Sequence, residues 1–340
     1  VRTPMAVTID RAALRDLLHF GAGQTLSSLA NTVATQGDYV VVSSQLGTAA
    51  LGFYGRAYEL INYPSTLFNN LAGGVMFAAL ARLQDDRARL AEALELTLFV
   101  IAAVLLPASA GLILVAPEAI HVLMGPGWEA AVVPFQIMSI AMLLRTSYKV
   151  GATVARARGD VYRISIIQVI YAVNVIGGAL VASRWGIDAV AITTTAAVAL
   201  HFVLLTWLGA RHAAIGVMPL VRAHGAALVG TVATMLLAVP VVLLLRHLGV
   251  GAPGVLAAGT AAGGLGFAAF VAWQLRRKGS RWATAWRDVR GLRRGGGGKG
   301  GKGTKWDQYF RITLGAETIG AAPVNPWVGA YDLVAMFARA

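Results

Sequence analysis

The sequence predicts an all-α protein, a polytopic transmembrane helix bundle with about eight spans. Of its 340 residues, 57% are hydrophobic and only 13% are charged, whereas soluble domains carry about 25% charged residues. The apolar residues form runs of about 20, the length that a helix needs to cross the hydrocarbon core of a bilayer. The formal net charge of +13 comes mainly from one end of the chain. We therefore expect a membrane bundle followed by a basic tail.

Eight segments fit such spans. In chain order they are 17–45, 48–80, 94–116, 130–153, 164–183, 188–209, 225–247 and 254–275. The first two are longer than one crossing, so we expect them to tilt, bend or project beyond the bilayer. By these spans the chain divides into four parts, which are 1–16, a six-helix part 17–209, two additional helices in 210–278, and a tail 279–340.

Lysine and arginine lie mostly on one side of this predicted bundle. The segments before the first span and after the second, fourth and sixth hold eleven of them, and the connections after the odd-numbered spans hold two. Cytoplasmic loops of membrane proteins carry this excess of positive charge. We therefore expect both termini to be cytoplasmic.

The tail is basic and rich in glycine. From Arg276 onward the sequence has 13 Lys or Arg against 4 Asp or Glu. A basic segment directly after a membrane helix is typical of an anchor on anionic lipids. No recognisable nucleic-acid motif accompanies it, so we expect no nucleic-acid partner. The run Leu292–Lys305 has the composition of a flexible linker, and we expect residues 279–340 to be a disordered cytoplasmic tail without an assigned function.

Two polar stripes follow the first two predicted helices at helical spacing. They consist of Gln24, Ser28, Asn31, Thr35 and Asp38 on the first helix, and of Arg56, Glu59, Tyr63, Thr66 and Asn70 on the second. A charged side chain at the centre of a bilayer costs about 2.5 to 3.5 kcal/mol on insertion scales. Arg56 and Glu59 are therefore expected to face water and a ligand. The alternative is that they only pair with each other at the i, i+3 spacing.

The fourth span carries two further cations, Arg145 and Lys149, four residues apart and with no acidic residue nearby in the sequence. Two cations without a local partner indicate an anionic ligand. The alternative is that both extend towards the cytoplasmic surface of the membrane. The chain has no cysteine, which excludes disulfides and cysteine-based metal sites. His121 and His201 have no partners at metal-ligand spacing, so we expect no metal and no cofactor.

Four stretches together resemble a known family: "QGDYVVVSSQLGTAALGFYGRAYELINYP", "VMFAALARLQDD", "LMGPGWEAAVVPFQIMSI" and "ARARGDVYRI". In their order and spacing they resemble the second half of Wzx-type lipopolysaccharide and exopolysaccharide flippases. These are polysaccharide biosynthesis proteins of the multidrug/oligosaccharidyl-lipid/polysaccharide exporter superfamily. The similarity covers about residues 10–210. It implies that spans one to six are the C-terminal lobe of a two-lobed flippase and that two extra helices follow.

The resemblance also implies a function that is not enzymatic. Such proteins move a polyprenyl-pyrophosphate-linked oligosaccharide across the bacterial inner membrane for cell-surface polysaccharide synthesis. Arg56 matches a recurrent cavity position, and Asp38 matches the acidic residue of an "LDxxxIG"-like pattern whose glycine is replaced here. Together with the stripes, this gives a set of candidate substrate-binding residues. They are Arg56, Glu59, Arg145, Lys149, Asp38 and Asn31.

The N-terminal lobe of the family has no counterpart in this sequence. Residues 1–16 then correspond to the remnant of the cytoplasmic linker between the lobes, and we expect either a fragment or a partner that supplies the missing lobe. Alternative functions are export of lipid II or of drugs within the same superfamily, and sugar transfer by a membrane glycosyltransferase that uses a polyprenyl-linked sugar. The enzyme would be expected to show a large extramembrane domain or a periplasmic acidic pair. The acidic residues of the predicted periplasmic connections are Glu118, Glu129 and Asp188. A structural assembly protein is a third possibility.

Overall fold

A computed structural model describes residues 11–68 and 87–277, and within these ranges every regular element is a helix. In chain order the α-helices are α1 (Arg11–Phe68), α2 (Arg87–Leu114), α3 (Ala116–Met124), α4 (Val132–Ala157), α5 (Val161–Ala182), α6 (Ile187–His212), α7 (Val217–His247) and α8 (Ala252–Arg276). Two short 3₁₀ turns, Glu129–Ala131 and Ser183–Trp185, precede α4 and α6. The predicted all-α fold is confirmed.

Helix α1 is a hairpin of two helical halves. Gly47, with φ 87° and ψ 174°, interrupts it with backbone angles that an α-helix does not adopt. The hydroxyl of Tyr54 lies 2.7 Å from Oδ2 of Asp38, 16 residues away. In a straight helix these residues would be about 24 Å apart, so the chain folds back on itself at Gly47. The break falls between the predicted spans 17–45 and 48–80.

Six helices in the described ranges are long and apolar enough to cross a membrane. These segments are Leu90–Leu114, Glu129–Ala157, Val161–Trp185, Ile187–His212, Met218–His247 and Ala252–Arg276. They coincide with the last six predicted spans, and they make the chain a multi-pass membrane protein. The two halves of α1 occupy the places of the first two spans but are less apolar because they carry the polar stripes. Their crossing of the membrane stays a prediction.

Helices α4 and α6 cross with almost no space between their backbones. A Cβ atom added at Gly151 would lie 2.2 Å from the carbonyl oxygen of Leu205, and one added at Gly209 would lie 2.6 Å from Cα of Gly151. Small residues allow this close approach between membrane helices, where dispersion contacts are the main source of attraction. This crossing holds α4, which carries Arg145 and Lys149, against the rest of the bundle.

Helices α7 and α8 pack on each other and α7 packs along α2, within the same compact unit as the preceding helices. Arg246 at the end of α7 donates two hydrogen bonds to Glu118 of α3, Nε to Oε1 at 2.7 Å and Nη2 to Oε2 at 2.8 Å. The Nη2 group also donates to the carbonyl oxygen of Leu114 at 2.8 Å. These bonds hold the pKa of the Glu118 carboxyl below its ordinary value, although burial opposes this. The predicted boundary at residue 209 stays a prediction.

Three parts of the predictions lie outside the described residues. They are residues 1–10 of the predicted linker remnant, the end of the second predicted span with Asn70, and the predicted tail 279–340.

Candidate functional site

A cleft of about 540 Å³ opens on the α1 hairpin. Its wall from the first half of α1 is Tyr39, and the remaining residues come from the second half. These are Leu51, Gly52, Gly55, Arg56, Glu59, Asn62, Tyr63 and Thr66. Their spacing places them on one face of the second half, which is the face that the second polar stripe predicted.

Arg56 and Glu59 form an ion pair on the surface of this cleft. Nη1 of Arg56 lies 2.7 Å from Oε2 of Glu59, and the side chains are 58% and 47% exposed. The hydroxyl of Tyr63 donates to the other carboxylate oxygen of Glu59 at 3.2 Å. The i, i+3 pairing that the sequence allowed is therefore present. It leaves most of the guanidinium of Arg56 open to a ligand in the cleft, because the pairing uses one of its nitrogens.

Arg145 of α4 lies behind the cleft. Its guanidinium stands 4.3 Å from the centre of the Tyr58 ring, and Nη1 donates to the Tyr58 hydroxyl. Its Nε and Nη2 atoms are shielded from solvent and have no hydrogen-bond partner among the described residues. Lys149, one turn further along α4, is exposed. The two cations thus differ in surroundings, since Lys149 is exposed and Arg145 is half-buried.

Asp38 is buried inside the bundle, with 1% of its surface exposed. Its Oδ2 accepts the bond from Tyr54, and the Tyr54 hydroxyl also lies 3.2 Å from Oγ1 of Thr194 in α6. Asp38 is close enough to Arg145 for electrostatic attraction between the two charges. This contact network ties both halves of α1 to α6, behind the wall of the cleft.

Asn31 lies away from the cleft, where α1 meets α5. Its Oδ1 accepts a hydrogen bond of 2.9 Å from Nε2 of Gln168. The first polar stripe therefore has several environments along its length, since Ser28 is exposed, Asn31 is half-buried and Asp38 is buried. Of the six predicted site residues, the structure brings Arg56 and Glu59 together in the cleft. It places Arg145 and Asp38 behind the cleft, leaves Lys149 exposed on α4, and separates Asn31 from the cleft.

The wall of the cleft is built on tyrosines that the sequence analysis missed. The Tyr39 ring packs edge-on against Tyr54, with centroids 5.8 Å apart, and against Tyr58 at 5.3 Å. Tyr54 and Tyr58 are both buried. Their i, i+4 spacing around Arg56 was the available signal, because it places both on the helix face that turns away from the charged pair.

His201 is a core histidine. It is 1% exposed and lies between the rings of Tyr148 and Tyr171, with centroids 4.4 and 4.3 Å away. The described residues include no group of three or more histidine, cysteine or acidic side chains that could hold a metal ion.

These features define the chain as a multi-pass helical membrane protein with a charged cleft on a helix hairpin. In comparison with known proteins, residues 1–133 are similar to the family described as "Polysaccharide biosynthesis protein". The resemblance predicted from the sequence is confirmed.

Three curated relatives agree with this family. The teichuronic acid biosynthesis protein TuaB of Bacillus subtilis is 27% identical over 154 residues, which cover 45% of this chain and 32% of that protein. The lipopolysaccharide biosynthesis protein WzxC of Escherichia coli is 29% identical over 152 residues, or 44% of this chain and 31% of the relative. The succinoglycan biosynthesis transport protein ExoT of Rhizobium meliloti is 32% identical over 115 residues, or 34% and 23%. The aligned part of the chain thus spans a third or less of these relatives.

The fold is similar to that of a solved flippase. The lipid II flippase MurJ, in an inward closed conformation, aligns with 80% of this chain and 57% of its own at a TM-score of 0.60. The sequence identity of 14% limits this likeness to the fold. The helical bundle described above is therefore similar in fold to that structure.

Proposed function

We propose that this chain forms one lobe of a transporter that moves a polyprenyl-pyrophosphate-linked oligosaccharide across the bacterial inner membrane. The transported glycan would serve cell-surface polysaccharide synthesis, as the names of the relatives suggest for those proteins. The observation that carries the proposal is the half-exposed Arg56–Glu59 pair on a cleft of a membrane bundle.

The energetics of this pair favour an aqueous cavity around it. A charge facing hydrocarbon costs about 2.5 to 3.5 kcal/mol at the bilayer centre, and Arg56 and Glu59 are 58% and 47% exposed. Water in the cavity of a transporter, or the surface of a second lobe, would remove most of this penalty. The aligned part of this chain covers 57% of the solved flippase chain. The proposed partner is a missing N-terminal lobe that would correspond to the remaining part.

Each candidate residue has a role in this proposal. Arg56 contacts the pyrophosphate, because a guanidinium presents a planar set of donors that matches phosphate oxygens. Glu59 orients Arg56. Arg145 and Lys149 form a second cationic position for the anion, and the two unpartnered nitrogens of Arg145 support this. Asp38 acts from behind the cleft, where its bond to Tyr54 helps to hold α1 against α6, and Asn31, away from the cleft, holds α1 against α5.

Transport, rather than an enzymatic reaction, is proposed because one relative is itself described as a transport protein and the fold is flippase-like. Lipid II or a drug remains the alternative substrate, since the solved neighbour is a lipid II flippase and one fold serves many substrates. A membrane glycosyltransferase is the alternative from another class.

The decisive experiment compares, in the full-length context, two arginines that are equally exposed and that each form an i, i+3 ion pair. Arg163, like Arg56, is 58% exposed and forms an i, i+3 ion pair, in its case with Asp160 at 3.2 Å. Arg56→Ala should abolish surface polysaccharide at unchanged membrane abundance, and Arg163→Ala should leave it unchanged. Equal effects of the two substitutions would overturn the assignment of the cleft as the transport site.

We also propose that both termini are cytoplasmic and that the basic segment after α8 contacts anionic lipids. The guanidinium of Arg277 lies 4.2 Å from the Trp273 ring at the end of α8, an arrangement typical of a membrane interface. Reporter fusions after Arg158 should therefore report cytoplasm, and fusions after Gly125 and Gly251 should report periplasm. The reverse pattern at two of these sites would contradict the proposed orientation.

A further inference from the structure

The cleft beside Arg56 extends well beyond the charged pair, and its remaining surface has its own chemistry. Its volume of about 540 Å³ is within the range of about 300 to 1,000 Å³ that is usual for small-molecule sites. We propose, on the basis of the function proposed above, that this cleft is a carbohydrate subsite. It holds the sugar ring that is joined to the phosphate, while Arg56 holds the phosphate itself.

Two glycines make room for a ring at the base of the cleft. A Cβ atom added at Gly52 would meet no atom within 4 Å, so the space above this backbone is open. A Cβ atom at Gly55 would lie 3.3 Å from Cε1 of Tyr39, so this glycine lets the Tyr39 ring pack directly against the helix. Any larger residue at position 52 would extend into the cleft and not into the bundle.

Two aromatic side chains offer surfaces on which the apolar face of a sugar ring can pack. Tyr39 is fixed by its contacts with Tyr54 and Tyr58. Tyr63 is 62% exposed, and its hydroxyl is oriented by the hydrogen bond to Glu59. Tyrosine combines an apolar body with a polar end, which suits a ligand that has apolar faces and a rim of hydroxyl groups.

Polar groups along the same helix face match the hydroxyl groups of a sugar. Asn62 and Thr66 line the cleft one and two turns after Glu59. An amide, a hydroxyl and a carboxylate together can both donate and accept hydrogen bonds. A polyprenyl chain in the same place would bury these groups without hydrogen-bond partners, which is unfavourable. The cleft therefore fits a sugar better than a lipid tail.

The test measures the binding of three probes to the full chain in detergent micelles by ligand-observed NMR. The probes are glucose 1-phosphate, inorganic phosphate and farnesyl phosphate. Glucose 1-phosphate should bind about threefold to tenfold more tightly than inorganic phosphate, which corresponds to one aromatic contact. Gly52→Leu and Tyr63→Leu should each remove this preference and keep the binding of inorganic phosphate.

Gly111→Leu is the matched control, because Gly111 is also a half-buried helical glycine whose added Cβ would meet no atom within 4 Å. It should retain the sugar preference. Equal binding of glucose 1-phosphate and phosphate by the unaltered chain would overturn the subsite. So would a preference for farnesyl phosphate that Gly52→Leu removes, since a lipid tail would then occupy the cleft. If no probe binds, or if Arg56→Ala leaves phosphate binding intact, the anion site of the proposed function fails first, and the subsite fails with it.

Discussion

Two arginine–glutamate pairs in this protein have similar distances and different surroundings. Arg246 and Glu118 come from separate helices, share two hydrogen bonds, and have side chains that are 35% and 10% exposed. Arg56 and Glu59 come from one helix, share one hydrogen bond, and are 58% and 47% exposed. The first pair satisfies its carboxylate within the protein and joins α7 to α3. The second leaves donors free at the edge of a cleft, which is what a ligand site requires.

This difference shows that the groups in contact with a charged side chain indicate its role better than its presence in a membrane bundle does. A buried or half-buried pair between helices stabilises the fold, and removal of one member leaves the other without compensation. An exposed pair within one helix contributes little to stability, about 0.3 to 0.5 kcal/mol. We therefore propose ligand binding, and not stability, as the role of the charges at such a position.

Glycine substitutions should have the largest effect on stability. They compare a closely packed helix crossing with an open helix surface. Gly151→Ala should destabilise the protein by at least about 2 kcal/mol, because the added methyl group would lie 2.2 Å from the Leu205 backbone, which cannot move aside. Gly177→Ala is the control, since its added Cβ would meet nothing within 4 Å. Thermal unfolding in detergent measures both. Equal stability of the two variants would show that the α4–α6 crossing is not closely packed.

Removal of the Arg246–Glu118 pair is expected to have the next largest effect on stability. Arg246→Ala leaves the largely buried carboxylate of Glu118 without its donor, so the free energy of unfolding should fall by about 1 to 3 kcal/mol. Arg184→Ala, at an exposed arginine, should change it by less than about 0.5 kcal/mol. The comparison fails if Arg246→Ala is as stable as Arg184→Ala.

The Arg246–Glu118 pair should also make stability depend on pH. Because the pKa of Glu118 is lowered in the folded protein, the stability that it contributes is complete above the unfolded pKa of about 4.3. This contribution is lost as the pH falls through the lower, folded pKa. Glu118→Gln should therefore remove part of the loss of stability between about pH 5 and pH 3. A melting temperature with the same acid dependence in the two proteins would contradict the shift.

Removal of the Arg56–Glu59 pair should give the smallest change in stability. Arg56→Ala is expected to alter the free energy of unfolding by no more than about 0.5 kcal/mol, because the pair is exposed and lies within one helix. Chemical denaturation in detergent, with Arg163→Ala in parallel, checks this. A loss of more than about 2 kcal/mol would make Arg56 a structural residue like Arg246.

The sequence predicted the features that depend on local periodicity. Six apolar spans, the break near Gly47 and the Arg56–Glu59 pair all follow from patterns within one helix or from run length. The features it missed join distant parts of the chain. The anion-binding role of Arg145 stays a prediction, but its hydrogen bond to Tyr58, 87 residues away, could not be predicted from local sequence.

The partner of Glu118 was missed for the same reason, because Arg246 lies 128 residues further along the chain. The helical spacing of the first polar stripe also predicted that its residues share one surface. In the structure its members separate, since neighbouring helices α5 and α6 cover different parts of it. Helical spacing shows which residues share a face, but it does not show what packs against that face.

The central claim is that Arg56 is present to contact an anion and not merely to neutralise Glu59. The most direct test compares Arg56→Ala with the double substitution Arg56→Ala, Glu59→Ala in the full-length context, with polysaccharide export and membrane abundance measured together. Loss of export in both, at unchanged abundance, is the predicted result, because neither variant retains the guanidinium donors. Recovery of near-normal export in the double variant would contradict the account, since the two residues would then only neutralise each other.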